Sequence, residues 1–407
     1  MLVIKGGLLI TMDGDDIEAG SIQIDPATGK IVAVGKDLPV AEGDEVIEAH
    51  GKFIHPGYID THTHAGIHEE STGNAGNDTN EMTDPIGPQH RALDATFMDD
   101  ESFRDALKAG ITTVLVTPGS GNLMGGQSVV LKTWTAGPGH IIDHAVLRAP
   151  AGIKCAFGEN PKRVYGEQKK NPSTRLGNAS LFRETLIRGL NYLEKVTKAD
   201  SDKPFERDLR MESLALVLRG EIPFRIHCHR ADDIMTVLRL RDEFGFGLVL
   251  EHGTEAWKVA DELVKRGVAV SCGPLMTARS KVELKERSFR TPGLLVQAGV
   301  KISIMTDHPV VPIQHLVTQV CIAVREGMDA REALKAVTIN AAEILGVEAR
   351  VGSLTVGKDA NIVVRDRHPL ELDSLVEQVL MDGKVVCRRR PNALAQLPEQ
   401  EYEISTN

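Results

Sequence analysis

Phe53-Ile54-His55-Pro56-Gly57-Tyr58-Ile59-Asp60-Thr61-His62-Thr63-His64 reads as a Pro-Gly turn feeding a short buried strand that finishes in two histidines. In an extended chain, residues i and i+2 project from the same face, so the imidazoles of His62 and His64 point together. Two neutral imidazoles on one side of a strand share a single divalent metal ion readily. A lone His-x-His is common on exposed strands, so the weight of this pair depends on what the rest of the chain supplies.

Four further apolar runs end in polar residues of ligand type. Pro223–Ile226 leads into His227-Cys228-His229, and Gly247–Leu250 leads into Glu251-His252. Val300–Met305 leads into Thr306-Asp307-His308, and Gly152–Phe157 leads into Gly158-Glu159-Asn160. A buried charge at a strand tip costs several kcal/mol unless it is paired or bound to a metal. Each residue taken singly reads as a polar cap on a strand end; the repetition does not.

The segments between these tips decide the architecture. Ala231–Glu243 places Ile234, Val237, Leu238 and Leu240 at helical spacing, and Thr254–Arg266 does the same before Gly267. Phe103–Ala109 precedes a strand at Ile111–Thr117, and Leu294–Ala298 precedes the strand Val300–Met305. Strands alternating with helices imply parallel pairing. A doubly wound sheet and a closed barrel both fit that alternation. Polar residues gathered at the C-terminal ends of several strands favour an α/β (β/α)8 TIM barrel, whose active sites lie on that face.

The two ends read differently. Residues 1–54 carry short β-like runs joined by turns such as Asp13-Gly14, and residues 352–407 resume that style with Asn361–Arg365, Val376–Met381 and Asp382-Gly383. The expectation is a small composite β-sandwich domain built from 1–54 and 352–407, flanking a barrel over 55–351. The helix-rich stretch Ala330–Gly346 closes the barrel.

The opening Phe53–His64, the strand-end His227 and His252, Asp307, and the closing run Val351-Gly352-Ser353-Leu354-Thr355-Val356-Gly357-Lys358-Asp359-Ala360-Asn361-Ile362 together resemble the amidohydrolase superfamily, in its imidazolonepropionase-like and dipeptidase-like branch, nearly end to end. The resemblance implies the barrel, the composite domain, and one or two divalent metals, often zinc. It also implies hydrolysis of C–N bonds in amides, cyclic amides or dipeptides. By resemblance His62 and His64 hold the more buried metal, Asp307 binds it and acts as the catalytic base, and His227 and His252 hold a second metal. The bridging ligand is either a carboxylated lysine or a glutamate, Lys154 or Glu159. Glu159 is preferred because it ends its strand just before Asn160-Pro161 and because an uncarboxylated lysine repels two cations. A mononuclear site follows if neither bridges. His229 shares a face with His227 and is read as a substrate contact, with the reverse assignment open. His308 is a supporting contact or a surface residue, and His55 is structural.

The long polar segment Gly66–Asp100 reads as a loop over the catalytic face. The segment Asn160–Gly177 carries Lys162, Arg163, Lys169, Lys170 and Arg175 around Tyr165. Arg163, Tyr165 and Arg175 are candidate contacts to a carboxylate on a small-molecule substrate; a solvated basic loop is the alternative. Asn122–Gln127, with Gly125-Gly126, brings backbone amides near a ligand.

At 407 residues the chain buries a sizeable core, and its net charge of −10 argues against nucleic acid. Five scattered cysteines, at 155, 228, 272, 321 and 387, suggest a reducing cytoplasm. No stretch suits a bilayer, and the N-terminus lacks the form of a signal peptide. A homo-oligomer is expected. Two other functions stay in view. A mononuclear heterocycle deaminase on the same barrel is weakened because Ala231-Asp232-Asp233 follows the strand-five histidines where deaminases often carry a glutamate. A non-catalytic scaffold is disfavoured by the complete ligand set.

Overall fold

The computed structural model describes residues 1–136, 141–198, 206–390 and 400–405. Eight strands form one sheet in strict sequence order: Tyr58–Thr63, Ile111–Val116, Met124–Lys132, Val146–Ala156, Phe224–Cys228, Leu248–His252, Ala269–Cys272 and Ile302–Ile304. Nearly every residue of these strands is buried, as expected for strands held between a filled barrel interior and an outer layer of helices. The sheet curls until its ends meet. His64 N–H donates to His308 O at 2.8 Å, Asp307 N–H donates to His62 O at 3.0 Å, and Thr63 bridges His308 in parallel. The mixed α/β barrel is thus nearly closed.

One strand departs from the expected all-parallel pattern. The third, Met124–Lys132, runs antiparallel to both neighbours. The connection 117–123 is too short for the crossover that a parallel pair requires, so the chain turns back as a hairpin. This strand contains the Gly125-Gly126 pair whose backbone amides were expected near a ligand. Gly126 sits at φ +133°, and a Cβ there would lie 2.5 Å from His90 O, so glycine lets the long loop pass close over the strand.

Helices cover the barrel where apolar periodicity placed them. Glu101–Lys108 starts at Asp100, whose carboxylate accepts from Ser102 N–H, and Ala231–Phe244 stops at Gly245 in the left-handed conformation. The stretch 254–266 divides into a 3-10 turn, Ala256–Val259, and a short helix, Ala260–Lys265. Under strands four to six, Phe157, Phe182, Phe224 and Phe246 pack with ring centroids about 5 Å apart; each buried ring contributes roughly 1.5–3 kcal/mol.

Both termini enter one nine-stranded sheet. Leu2–Leu9, Ile17–Asp25, Lys30–Lys36, Glu45–Glu48 and Phe53–Pro56 come from the N-terminal side. Ile362–Arg365, Val376–Met381, Lys384–Arg389 and Tyr402–Ile404 come from the C-terminal side. Phe53–Pro56 joins the halves, antiparallel to Ile362–Arg365 and parallel to Leu2–Leu9, so the terminal sheet runs past residue 54 to the Pro-Gly turn. Leu107 and Trp134 pack with Val363, Val376, Val379 and Met381 of this sheet. Asp359 adds a polar seam: its carboxylate pairs with Lys30 of the sheet, with Lys132 of the third barrel strand at 2.9 Å, and with Arg350 at 2.6 Å.

Candidate metal centre

Two groups of ligand-type side chains converge where the barrel strands end. His62, His64 and Asp307 form one, and His227, His229 and His252 the other; within each, the donor atoms lie within 4.8 Å of one another. Asp307 Oδ1 lies 3.4 Å from His62 Nε2 and 3.3 Å from His64 Nε2. The groups adjoin: the rings of His62 and His252 are 5.0 Å apart, and those of His227 and His252 are 4.3 Å apart.

The partners of these rings decide which nitrogen faces the centre. His64 Nδ1 meets Thr117 O at 2.7 Å, His252 Nδ1 meets Gly273 O at 3.0 Å, and His62 Nδ1 meets Glu251 Oε2 at 2.8 Å. Carbonyl and carboxylate oxygens only accept, so each Nδ1 carries the proton and donates. Each Nε2 therefore presents a lone pair inward. His229 Nδ1 lies 2.8 Å from Thr254 Oγ1, a hydroxyl that either donates or accepts and so leaves the His229 tautomer open. The Nε2 atoms of His62 and His252 are buried without any hydrogen-bond partner. Inward lone pairs, outward anchors and a nearby carboxylate are the donor chemistry that suits a divalent metal.

Protonation states agree. Burial pushes His252 down to about 3 and holds His227 and His229 well below the usual imidazole range, so all three are neutral near pH 7. Burial also opposes ionisation of Asp307, yet the histidines around it hold its carboxyl well below the usual range. Both His252 and Asp307 have positive φ, 72° and 55°. Such strain in non-glycine residues persists where surrounding structure imposes it, commonly at functional sites.

Beneath the rings lies a buried polar layer. Arg225, fully buried, pairs through Nη2 with Glu251 Oε1 at 2.7 Å and donates to Thr61 O at 3.1 Å. Glu251 thus links Arg225 to His62. Burial disfavours its charge, but Arg225 and His62 outweigh it and bring its carboxyl down to about 2. Arg225 was not singled out from sequence, and Glu251 was read only as a ligand-type residue at a strand end. The signals were an arginine inside an otherwise apolar strand and a glutamate directly before a strand-end histidine.

Of the two candidate bridges, the structure brings Lys154 to the site. It is wholly buried on the fourth strand and donates to Ser120 Oγ at 2.7 Å and to Pro118 O at 3.2 Å. Ser120 Oγ also contacts His227 Nδ1 at 2.9 Å. Burial lowers the Lys154 ammonium to about 8, with Asp307 and Glu251 pulling the other way. Glu159 belongs to neither ligand group. It opens the helix Glu159–Glu167, and its backbone N–H donates to Glu283 Oε1 at 2.5 Å. Alternation along the strand had already carried the inward face away before residue 159.

The basic collar is dispersed. Arg175 is occupied by Asp233 at 2.9 Å and Glu283 at 3.3 Å. Tyr165 is buried, accepting from Asn122 Nδ2 and donating to Asp84 O, both at 2.9 Å. Arg163 is exposed. The polar loop 66–100 is stitched to the barrel mouth, with Gly121 N–H donating to Asn80 Oδ1 at 2.7 Å. His308 is buried rather than on the surface, its Nε2 3.5 Å from Glu70. His55 is buried and stacked on Tyr58 at 4.5 Å, and Cys228 is buried.

This barrel and its ligand-lined mouth define a class. The chain belongs to the amidohydrolase family, whose model matches residues 53–387. It is 28% identical over 397 residues to the amidohydrolase tasK of Hapsidospora irregularis, a match that covers 90% of this chain and 40% of that protein's length. It is 24% identical to the imidazolonepropionase of Treponema denticola, covering 93% of this chain and 94% of that protein. Among solved structures, an amidohydrolase from Thermotoga maritima MSB8 superimposes with a TM-score of 0.92 at 41% identity, covering 96% of this chain and all of that one.

Proposed function

We propose that this chain is a metal-dependent hydrolase of amide-type C–N bonds, in amides, cyclic amides or dipeptides. The observation that carries the reading is the pair of adjoining ligand groups, with His62 Nε2 and His252 Nε2 buried and unpartnered. His62, His64 and Asp307 would hold one divalent metal, zinc being the natural choice for this donor set. His227 and His252 would hold a second, with His229 beside them. When bound, the metal polarises the carbonyl and lowers the pKa of an attacking water toward neutrality.

The remaining work falls to the chain. Asp307, held ionised, takes the proton from the attacking water and delivers it to the leaving nitrogen, which is too basic to depart unprotonated. Arg225 and Glu251 fix the His62 tautomer from below. Lys154, rather than Glu159, would supply the ligand shared by the two groups. Its neutral amine would add to carbon dioxide with loss of a proton, giving a carbamate whose two oxygens and negative charge suit divalent cations.

The test is metal content per chain by elemental analysis on wild type, Lys154→Ala and Glu159→Ala, with turnover on a panel of dipeptides, acylated amines and cyclic amides. Two metals in wild type and in Glu159→Ala, falling in Lys154→Ala, are expected. Loss of metal in Glu159→Ala alone would return the bridge to Glu159. A metal-free, well-folded wild type would remove the hydrolytic reading.

A further inference from the structure

With Arg175 consumed by Asp233 and Glu283, and Tyr165 bonded into the loop contacts, a different cation stands over the centre. Lys281 lies at the start of the 3-10 turn Val282–Leu284, in the connection that follows the seventh barrel strand. Its Nζ donates to Asn160 Oδ1 at 3.1 Å, and Asn160 Nδ2 lies 3.4 Å from His227 Nε2. A single side-chain amide therefore separates the ammonium from a ring of the second ligand group. The charge is close enough to bear on both His227 and His229.

Lys281 is poorly neutralised. Its one carboxylate neighbour among the described residues is Glu283, with Oε2 at 3.5 Å. That carboxylate is shared: Oε1 faces Arg175 at 3.3 Å and accepts from the Glu159 N–H. A side chain 21% exposed, at the mouth of the centre and with half a counter-ion, is placed to complete its coordination with an incoming anion. Next to it, Val282 is 71% exposed and offers apolar surface beside the charge.

We propose that Lys281 is the specificity-determining residue of this site and binds a carboxylate on the substrate, beyond the scissile C–N bond. Substrates are then dipeptides or N-acylated amino acids with a free carboxylate. Asn160 spaces the carboxylate from the ligand histidines and, by sharing its oxygen with Lys281, holds the ammonium in place. The inference rests on the hydrolase reading, and the experiment separates the two.

Zinc-loaded wild type, Lys281→Met and Lys281→Arg, matched for metal content, are assayed on dipeptides and N-acetyl-amino acids and on the same compounds capped as C-terminal amides. Wild type is expected to favour the free carboxylates. Lys281→Met should raise KM for them by about tenfold or more, as expected for loss of a charge-assisted hydrogen bond. Its kcat should change far less, its KM for the capped compounds should hold, and Lys281→Arg should recover most of the preference. Equal losses on capped and free compounds, or no loss, overturn the role of Lys281. If wild type hydrolyses none of them, the hydrolase reading fails for this substrate class, and Lys281 is judged on binding. Thermal stabilisation by millimolar N-acetyl-amino acid that Lys281→Met lacks retains the anion site; equal stabilisation overturns it.

Discussion

The candidate metal centre and the Asp359 seam are both clusters of polar groups around buried carboxylates, yet they are finished differently. At the seam, Lys30, Lys132 and Arg350 converge on one carboxylate, and Lys132 also reaches Asp382. No side-chain atom of Asp359 or Lys132 is left buried and unpartnered. At the centre, the outer nitrogens of the rings are anchored while inner ones stay open. An unsatisfied buried polar atom costs roughly 1–3 kcal/mol. A fold that closes the contacts of Asp359 and Lys132 and leaves the inward ring nitrogens of His62 and His252 open is placed to use the latter for a ligand. Completeness of pairing, not density of charge, separates seam from site.

The contrast breaks most sharply at Asp307. Asp307→Asn should lower kcat by about 10²–10⁴-fold, the usual loss of a general acid–base, with the melting temperature little changed; near-normal turnover would take the base role from it. Glu251→Gln should weaken metal affinity by about 10–100-fold through loss of the His62 anchor, read by competition with a chelator. Unchanged affinity there would make the Arg225–Glu251 pair purely architectural.

At the seam the effect is on stability. Asp359→Asn should cost about 1–3 kcal/mol, measured by urea unfolding, and leave metal content intact. Burial opposes the charge of Asp359, but Lys132, Lys30 and Arg350 hold its carboxyl below the usual value. A depressed folded pKa means that its contribution is complete above the unfolded value of about 3.9 and is lost as pH falls through the folded one. Wild type and variant should therefore differ steadily from pH 7 to 5 and converge below pH 4. The smallest effect belongs to Arg163→Ala, where kcat/KM should stay within about twofold because the side chain is exposed. A tenfold fall would restore the basic collar.

The sequence made visible what depends on single strands. Each barrel strand that finishes in a candidate ligand announces itself as an apolar run with a polar end, so the convergence of the His62, His227, His252 and Asp307 tips was legible. The third strand was hidden because Gly125-Gly126 imitates a loop and its direction is set by the shortness of 117–123. Glu159 was preferred over Lys154 because position along a strand says nothing of how far a barrel interior reaches; Lys154 is the one that is wholly buried beside the ligand groups. Arg175 looked free because its partners, Asp233 and Glu283, lie far along the chain. Pairing across distant elements is the information a single sequence withholds.

The seam that closes the barrel runs through the ligands themselves: His62 O accepts from the Asp307 N–H, and His64 N–H donates to His308 O. On the ribosome, His62 and His64 emerge early, and their carboxylate partner follows only after every other barrel strand has been made. Until the last strand docks, the histidines lack the oxygen that Asp307 contributes. Assembly of the two ligand groups therefore certifies that the barrel is whole, because the hydrogen bonds that close it run through His62, His64 and Asp307 themselves.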